Sequence, residues 1–180
     1  MKEEYITTLE QAINDFIDSG NLDYLNKTRE YYKQLSIVEA IRQAANGLTI
    51  EKDSPVFHSH QFRIGKAKCL EGYRALAGFE VELIQAKNFK EIFTIIEEVK
   101  RQTSGLGDLW SYDTALRIGF NKGMLPQEVY VQSGVVKGAK KVLGLEKIQG
   151  RHLPLTKFQK ELHVFPPYQL EFFLCRYGKG

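Results

Sequence analysis

The chain has 180 residues, 43% of them hydrophobic, and a formal net charge of +3, which is enough apolar material for one buried core and too little length to need two domains. No run of about 18 apolar residues occurs, and Met1 to Tyr5 shows no basic start leading into an apolar core, so neither a membrane span nor a secretory signal is expected. Cys69 and Cys175 lie among apolar residues without metal-ligand or CxxC spacing, which suits reduced structural thiols in a cytoplasmic protein, with no cofactor and no metal expected.

In chain order, residues 3–18 predict an amphipathic helix with Ile6, Leu9, Ile13, Phe16 and Ile17 on one side, ended by Ser19, Gly20 and Asn21. A second helix is predicted over 22–35 and a third from Ser36, where Ser36 and Glu39 have capping-box spacing, to Asn46 and Gly47. Residues 48–61 break the pattern at Asp53, Ser54 and Pro55 and read as a loop. A helix over 66–78 presents Cys69, Leu70, Tyr73, Leu76 and Ala77, and 79–86 reads as an irregular link.

The next stretch organises the chain. Asn88 followed by Glu91 marks a helix start, and Ile92, Ile95, Ile96 and Val99 fall at helical spacing. After Gly105-Leu106-Gly107 a second helical pattern carries Leu109, Tyr112 and Leu116, giving a helical hairpin. Two nearby glycines allow positive φ or a Cβ-free backbone in a tight turn, and the amides that open the following helix can seat an anion such as a phosphate. Leu106 plugged into the core would be the purely structural use of the same motif.

Beyond the hairpin, Pro126 opens a short helix over 126–131, Ser133 caps a helix over 134–143 that Gly144 ends, and Pro166 and Pro167 open a closing helix over 166–178. Charge is uneven along the chain: residues 1–50 carry −3, while residues 137–160 hold seven Lys/Arg against one acidic residue. Lys137, Lys140 and Lys141 share a helix side, and Lys147 and Arg151 extend the excess, a pattern suited to a polyanion.

A second candidate group combines His60 and Arg63 of the 58–63 loop with Asp113 and Arg117 of the second hairpin helix. His60, Gln61 and Arg63 could lie against the hairpin as hydrogen-bonding residues. Asp113 and Arg117, four residues apart, form either an ordinary surface ion pair or part of a pocket in which Asp113 acts as acid or base and the arginines hold an anionic substrate.

The order of these features resembles the helix-hairpin-helix DNA glycosylase and endonuclease superfamily over about residues 88–145. The resemblance is carried by Gly105-Leu106-Gly107, Thr114-Ala115, residues 129–137 (Val-Tyr-Val-Gln-Ser-Gly-Val-Val-Lys) and residues 140–145 (Lys-Lys-Val-Leu-Gly-Leu). It implies an all-helical fold, hairpin amides on a DNA phosphate, and, in catalytic members, removal of a damaged base. Here the position of the catalytic aspartate is Gln132, an amide that can be neither base nor countercharge. No lysine follows Gly107, where bifunctional members carry their nucleophile, and the distance from Gly107 to Gln132 exceeds the family's usual spacing. Residues 112–119 (Tyr-Asp-Thr-Ala-Leu-Arg-Ile-Gly) also resemble a stretch of bacterial proteins of similar length.

The resulting expectation is an all-α, single compact multi-helix domain, glycosylase-like, spanning 1–180, with N-terminal helices over 1–47. Its function is expected to be non-catalytic DNA binding through the phosphate backbone by Gly105, Leu106, Gly107, Lys137, Lys140, Lys141, Lys147 and Arg151. The alternatives are a DNA-repair-like or nucleotide-processing enzyme using His60, Arg63, Asp113 and Arg117, and a protein–protein interaction module. Oligomeric state is left open.

Overall fold

The computed structural model describes residues 2–51 and 54–179, the side chains of residues 2–8 and of His60 excepted. Ile6 and Asp53 of the sequence reading therefore lie outside the described side chains. The protein is mostly helical, and no described helix is long and apolar enough to cross a membrane. The chain groups into two compact units, one made of residues 1–26 and 126–180 and the other of residues 27–125.

In the first unit, α1 (Lys2–Asp18) turns Leu9, Ile13 and Phe16 inward, while Ile17 stays largely exposed. Phe16 meets Phe165, Phe172 and Phe173 edge-on at 5.4 to 5.8 Å between ring centroids, a geometry that aligns ring edges with ring faces. The closing helix, named α9 in chain order (Pro167–Tyr177), buries Leu170, Phe173 and Leu174 as its spacing predicts, and also Tyr168, Phe172 and Cys175. Against it lies α8 (Val136–Leu143). A Cβ on Gly138 would come within 2.0 Å of the Leu174 carbonyl oxygen, so the two helix backbones touch where only glycine fits.

The helix expected over 126–131 is instead strand β3 (Val129–Tyr130), paired antiparallel with β4 (His152–Leu153). Val131 N–H continues the ladder to the Arg151 carbonyl at 2.8 Å. The β-branched Val129 and Val131 flanking Tyr130 favour extended backbone, and Pro126 alone does not start a helix. Ser133 does not cap α8; the Gln132 carbonyl accepts the Val135 and Val136 amides instead. Gly144 ends the helix in the left-handed conformation, as expected.

The second unit is built on α7 (Asp108–Lys122), which packs against α3 (Ile37–Ala45) and α6 (Phe89–Gln102). Helix ends leave carbonyls without intrahelical partners, and α7 supplies donors to them. Trp110 Nε1 donates to the Ala45 carbonyl at 2.9 Å, and Thr114 Oγ1 donates to that of Ala44 at 3.4 Å. Asn121 Nδ2 donates to the Tyr32 and Leu35 carbonyls at the end of α2 (Asn21–Gln34), both at 2.8 Å. Each such bond contributes about 1 kcal/mol net, and more is lost if a buried acceptor is stranded.

Both start signals read from the sequence operate in this unit. Ser36 Oγ accepts from Glu39 N–H, and Asn88 Oδ1 accepts from Glu91 N–H while Glu91 reaches back to Lys87 N–H. Three features of the sequence reading change. The 48–61 loop contains a β-hairpin, β1 (Leu48–Glu51) and β2 (Ser54–Phe57), with Leu48 opposite Phe57. The 79–86 link holds a short helix, α5 (Glu80–Gln85). Helix α4 (Lys66–Leu76) buries Cys69, Gly72 and Leu76, leaving Leu70 and Ala77 exposed, because Gly72 must face the Trp110 ring.

Candidate nucleic-acid interface

The turn of the α6–α7 hairpin has an inward and an outward side. Leu106 is buried toward Gly72 of α4, while Gly105 and Gly107 are exposed. Gly105 has φ +89°, a conformation that a side chain disfavours. Gly107 differs from the sequence expectation: it is extended, at φ −108° and ψ 173°, which any residue adopts. A Cβ there would meet nothing within 4 Å.

Gly107 caps α7 without a side-chain hydrogen bond to the first amides. The first residue of the helix, Asp108, places a carboxylate near them, where the helix dipole favours negative charge. Lys100 Nζ balances it, 2.7 Å from Asp108 Oδ1 and 2.8 Å from Glu97 Oε2. An anion arriving at this turn thus meets amides that Gly107 has no side chain to cap, one resident carboxylate and one lysine.

The basic helix belongs to the other unit. Lys137 and Lys141 on α8 are exposed and Lys140 is half-buried; Lys147 and Arg151, beyond the helix, are exposed. Lys141 is not simply part of a solvated ridge, because its Nζ lies 4.2 Å from the centroid of the Tyr177 ring, a cation–π contact. Lys137, Lys140 and Lys147 make no ion pair among the described residues. In the second unit some cations, Arg29, Arg63, Lys66 and Lys90 among them, also make no ion pair among the described residues, but others are matched locally. Lys33, Arg42, Lys68, Lys100, Arg101 and Arg117 all pair with a carboxylate three or four residues away, whereas α8 contains no acidic residue.

Gln132, between β3 and α8 in sequence, is buried, and its Nε2 donates to Glu171 Oε1 of α9 at 2.8 Å. This bond ties the connection to the closing helix. An amide here neither accepts a proton nor balances a positive transition state.

The group His60, Arg63, Asp113 and Arg117 is only partly assembled. Asp113 Oδ2 lies 3.6 Å from Arg117 Nη2, with side chains 15% and 6% exposed, so the pair is buried and not the surface pair considered from the sequence. Gln61, fully buried, donates from Nε2 to Asp113 Oδ2 at 2.9 Å and fastens the loop to α7. Arg63 points to solvent, and the His60 side chain lies outside the described residues. Burial pushes the neighbouring Cys69 thiol up to about 11, opposed by the Arg117 charge, which makes it a poor nucleophile. Among the described residues no group of three or more His, Cys, Asp or Glu could hold a metal ion.

Sequence reasoning missed the aromatic pair Phe57 and Phe62 beside this loop. Phe62 is 66% exposed, and its ring lies 5.6 Å from that of Phe57. The signal available was two phenylalanines flanking a polar histidine-rich turn, which helical spacing does not explain. Comparison of the chain with protein-family models, with curated proteins and with solved structures gives no match.

Proposed function

We propose that this protein binds DNA without catalysis, holding the phosphate backbone through the cations of α8 and its following loop and through the α6–α7 turn, as a divergent, glycosylase-like helix-hairpin-helix protein. The observation that carries the reading is the local concentration of positive charge: residues 137–160 hold seven Lys/Arg against one acidic residue, α8 contains no acidic residue, and Lys137, Lys140 and Lys147 make no ion pair among the described residues. Unmatched surface lysines repel one another, a cost that a polyanion removes by releasing its counterions. The exposed turn at Gly105 and Gly107, where the residue capping α7 has no side chain, supports a further phosphate contact. Gln132 in place of a carboxylate and the absence of a lysine after Gly107 support binding without base excision. Two buried thiols suit a reducing compartment such as the cytoplasm.

The test compares wild type with a Lys137→Gln, Lys140→Gln, Lys147→Gln variant on a fluorescein-labelled duplex at low salt, read by anisotropy. Lys137 and Lys147 are exposed and Lys140 is half-buried, and the circular dichroism spectrum of the variant checks that its fold is retained. The expected result is at least about a tenfold loss of affinity, from three lost phosphate contacts. Equal affinity of the two proteins would sink the α8 reading.

A further inference from the structure

The β1–β2 hairpin and the turn that follows it build a second exposed feature, on residues that the backbone-binding reading does not use. An open concavity of about 490 Å³ is lined by Asn46, Leu48, Pro55, Val56, Phe57 and Lys66, within the ~300–1,000 Å³ range of small-molecule sites. Phe57 is half-buried on its wall, and Phe62, two-thirds exposed, stands beside it with the rings tilted by 35°. Lys66 Nζ lies 5.7 Å from the centre of the Phe57 ring. Arg63 and Lys66 make no ion pair among the described residues, and none of the described lining residues is acidic.

The exposure of Phe62 is held in place by its neighbours. Gln61 is fully buried and bonded to Asp113, and the Ile64 and Gly65 amides both donate to the Gln61 carbonyl, at 3.0 and 2.9 Å. His58 N–H donates to the Gly47 carbonyl at 2.8 Å. The backbone on both sides of Phe62 is therefore held in this turn, which sets the direction of its Cα–Cβ bond. A large ring fixed in water costs hydration free energy that a flat apolar partner would recover.

We propose that Phe57 and Phe62 form a stacking platform for an unpaired nucleobase of single-stranded nucleic acid, with Arg63 and Lys66 holding the adjoining phosphate. Every base has a flat π face, so an aromatic ring binds it irrespective of sequence, and unmatched cations beside the ring supply the electrostatic half of the contact. Among the described residues the lining carries a cation and no carboxylate, the complementarity that a polyanion requires. The proposal takes its ligand class from the nucleic-acid reading but rests on different side chains.

The test uses the full chain, a short fluorescein-labelled oligothymidylate and a labelled duplex of equal length, with Phe62→Ala, Phe62→Trp and the triple α8 lysine variant. Phe62→Ala is expected to weaken oligothymidylate binding by about 5- to 10-fold, the lower part of the range for one lost base stack because the ring is open on one side. It should leave duplex affinity unchanged, and Phe62→Trp should retain single-strand binding. Single-strand binding that depends on Phe62 together with no duplex binding would remove the α8 reading and leave the platform standing. Equal oligothymidylate affinity of wild type and Phe62→Ala, or no binding by wild type, overturns the platform. Self-association that Phe62→Ala abolishes while oligothymidylate binding is unchanged overturns it too, in favour of a contact between copies.

Discussion

Replacing Asp113 with alanine removes the carboxylate facing the Arg117 guanidinium, 95% buried on α7, and the acceptor of the Gln61 side chain. Breaking a fully buried pair by deleting one partner costs roughly 3–5 kcal/mol. The 3.6 Å separation and the partial exposure of Asp113 place this pair lower, at about 2 kcal/mol. The stranded Gln61 amide adds about 1 kcal/mol, for a total loss near 3 kcal/mol. Replacing both partners by apolar residues, Asp113→Leu with Arg117→Met, removes the buried charge as well and should cost less than Asp113→Ala alone, since a buried pair is often neutral against a well-packed apolar substitute. Trp110 is the chain's one tryptophan and is fully buried on the same helix, so urea unfolding followed by its fluorescence reports this unit directly. A loss below about 1 kcal/mol for Asp113→Ala, or a double variant less stable than the single one, would refute the assignment of Asp113 as a countercharge that helps make Arg117 tolerable in the core.

Two further outcomes follow from titrating groups. Hydrogen bonds from Arg42 first and Gln43 next hold Glu39 down from 4.5 to about 2. Its contribution is therefore present above about pH 4.5 and is lost as pH falls toward 2. The side chain is about a third exposed, so solvent screening keeps the contribution below about 1 kcal/mol. Glu39→Gln should flatten the acid limb of urea midpoint against pH, and an unchanged limb would count against these bonds. The Cys69 thiol, pushed up to about 11 by burial, should be ionised in only about one molecule in a thousand at pH 8. In a Cys175→Ser background it should react with a disulfide reagent far more slowly in the native protein than in urea; equal rates would show that the thiol is accessible.

The parts of the fold that could be read from the sequence are those set within one turn of helix. Ser36 with Glu39, Asn88 with Glu91, and Gly144 each act through hydrogen bonds or a local φ that a short window contains. Strand β3 escaped because its partner, Leu153 opposite Val129, lies 24 residues on, and nothing near Pro126 announces that pairing. The β1–β2 hairpin consists of two four-residue strands, too short for alternation to stand out. Spacing put Asp113 and Arg117 on one helix side, but their burial is set by helices and a loop distant in sequence. The α8 lysines were visible as a pattern, whereas the seat of Lys141 on Tyr177 needs the close approach of α8 and α9 at Gly138. Phe62 was invisible as a surface ring because exposure has no period.

The measurement that tests backbone binding most directly is the affinity of the wild-type chain for a labelled duplex across a salt series. If Lys137, Lys140, Lys141, Lys147 and Arg151 each neutralise one phosphate, the plot of log association constant against log salt should fall with a slope of about −4 to −5, near −0.9 for each contact. A slope near zero, or no binding at low salt, would contradict the account.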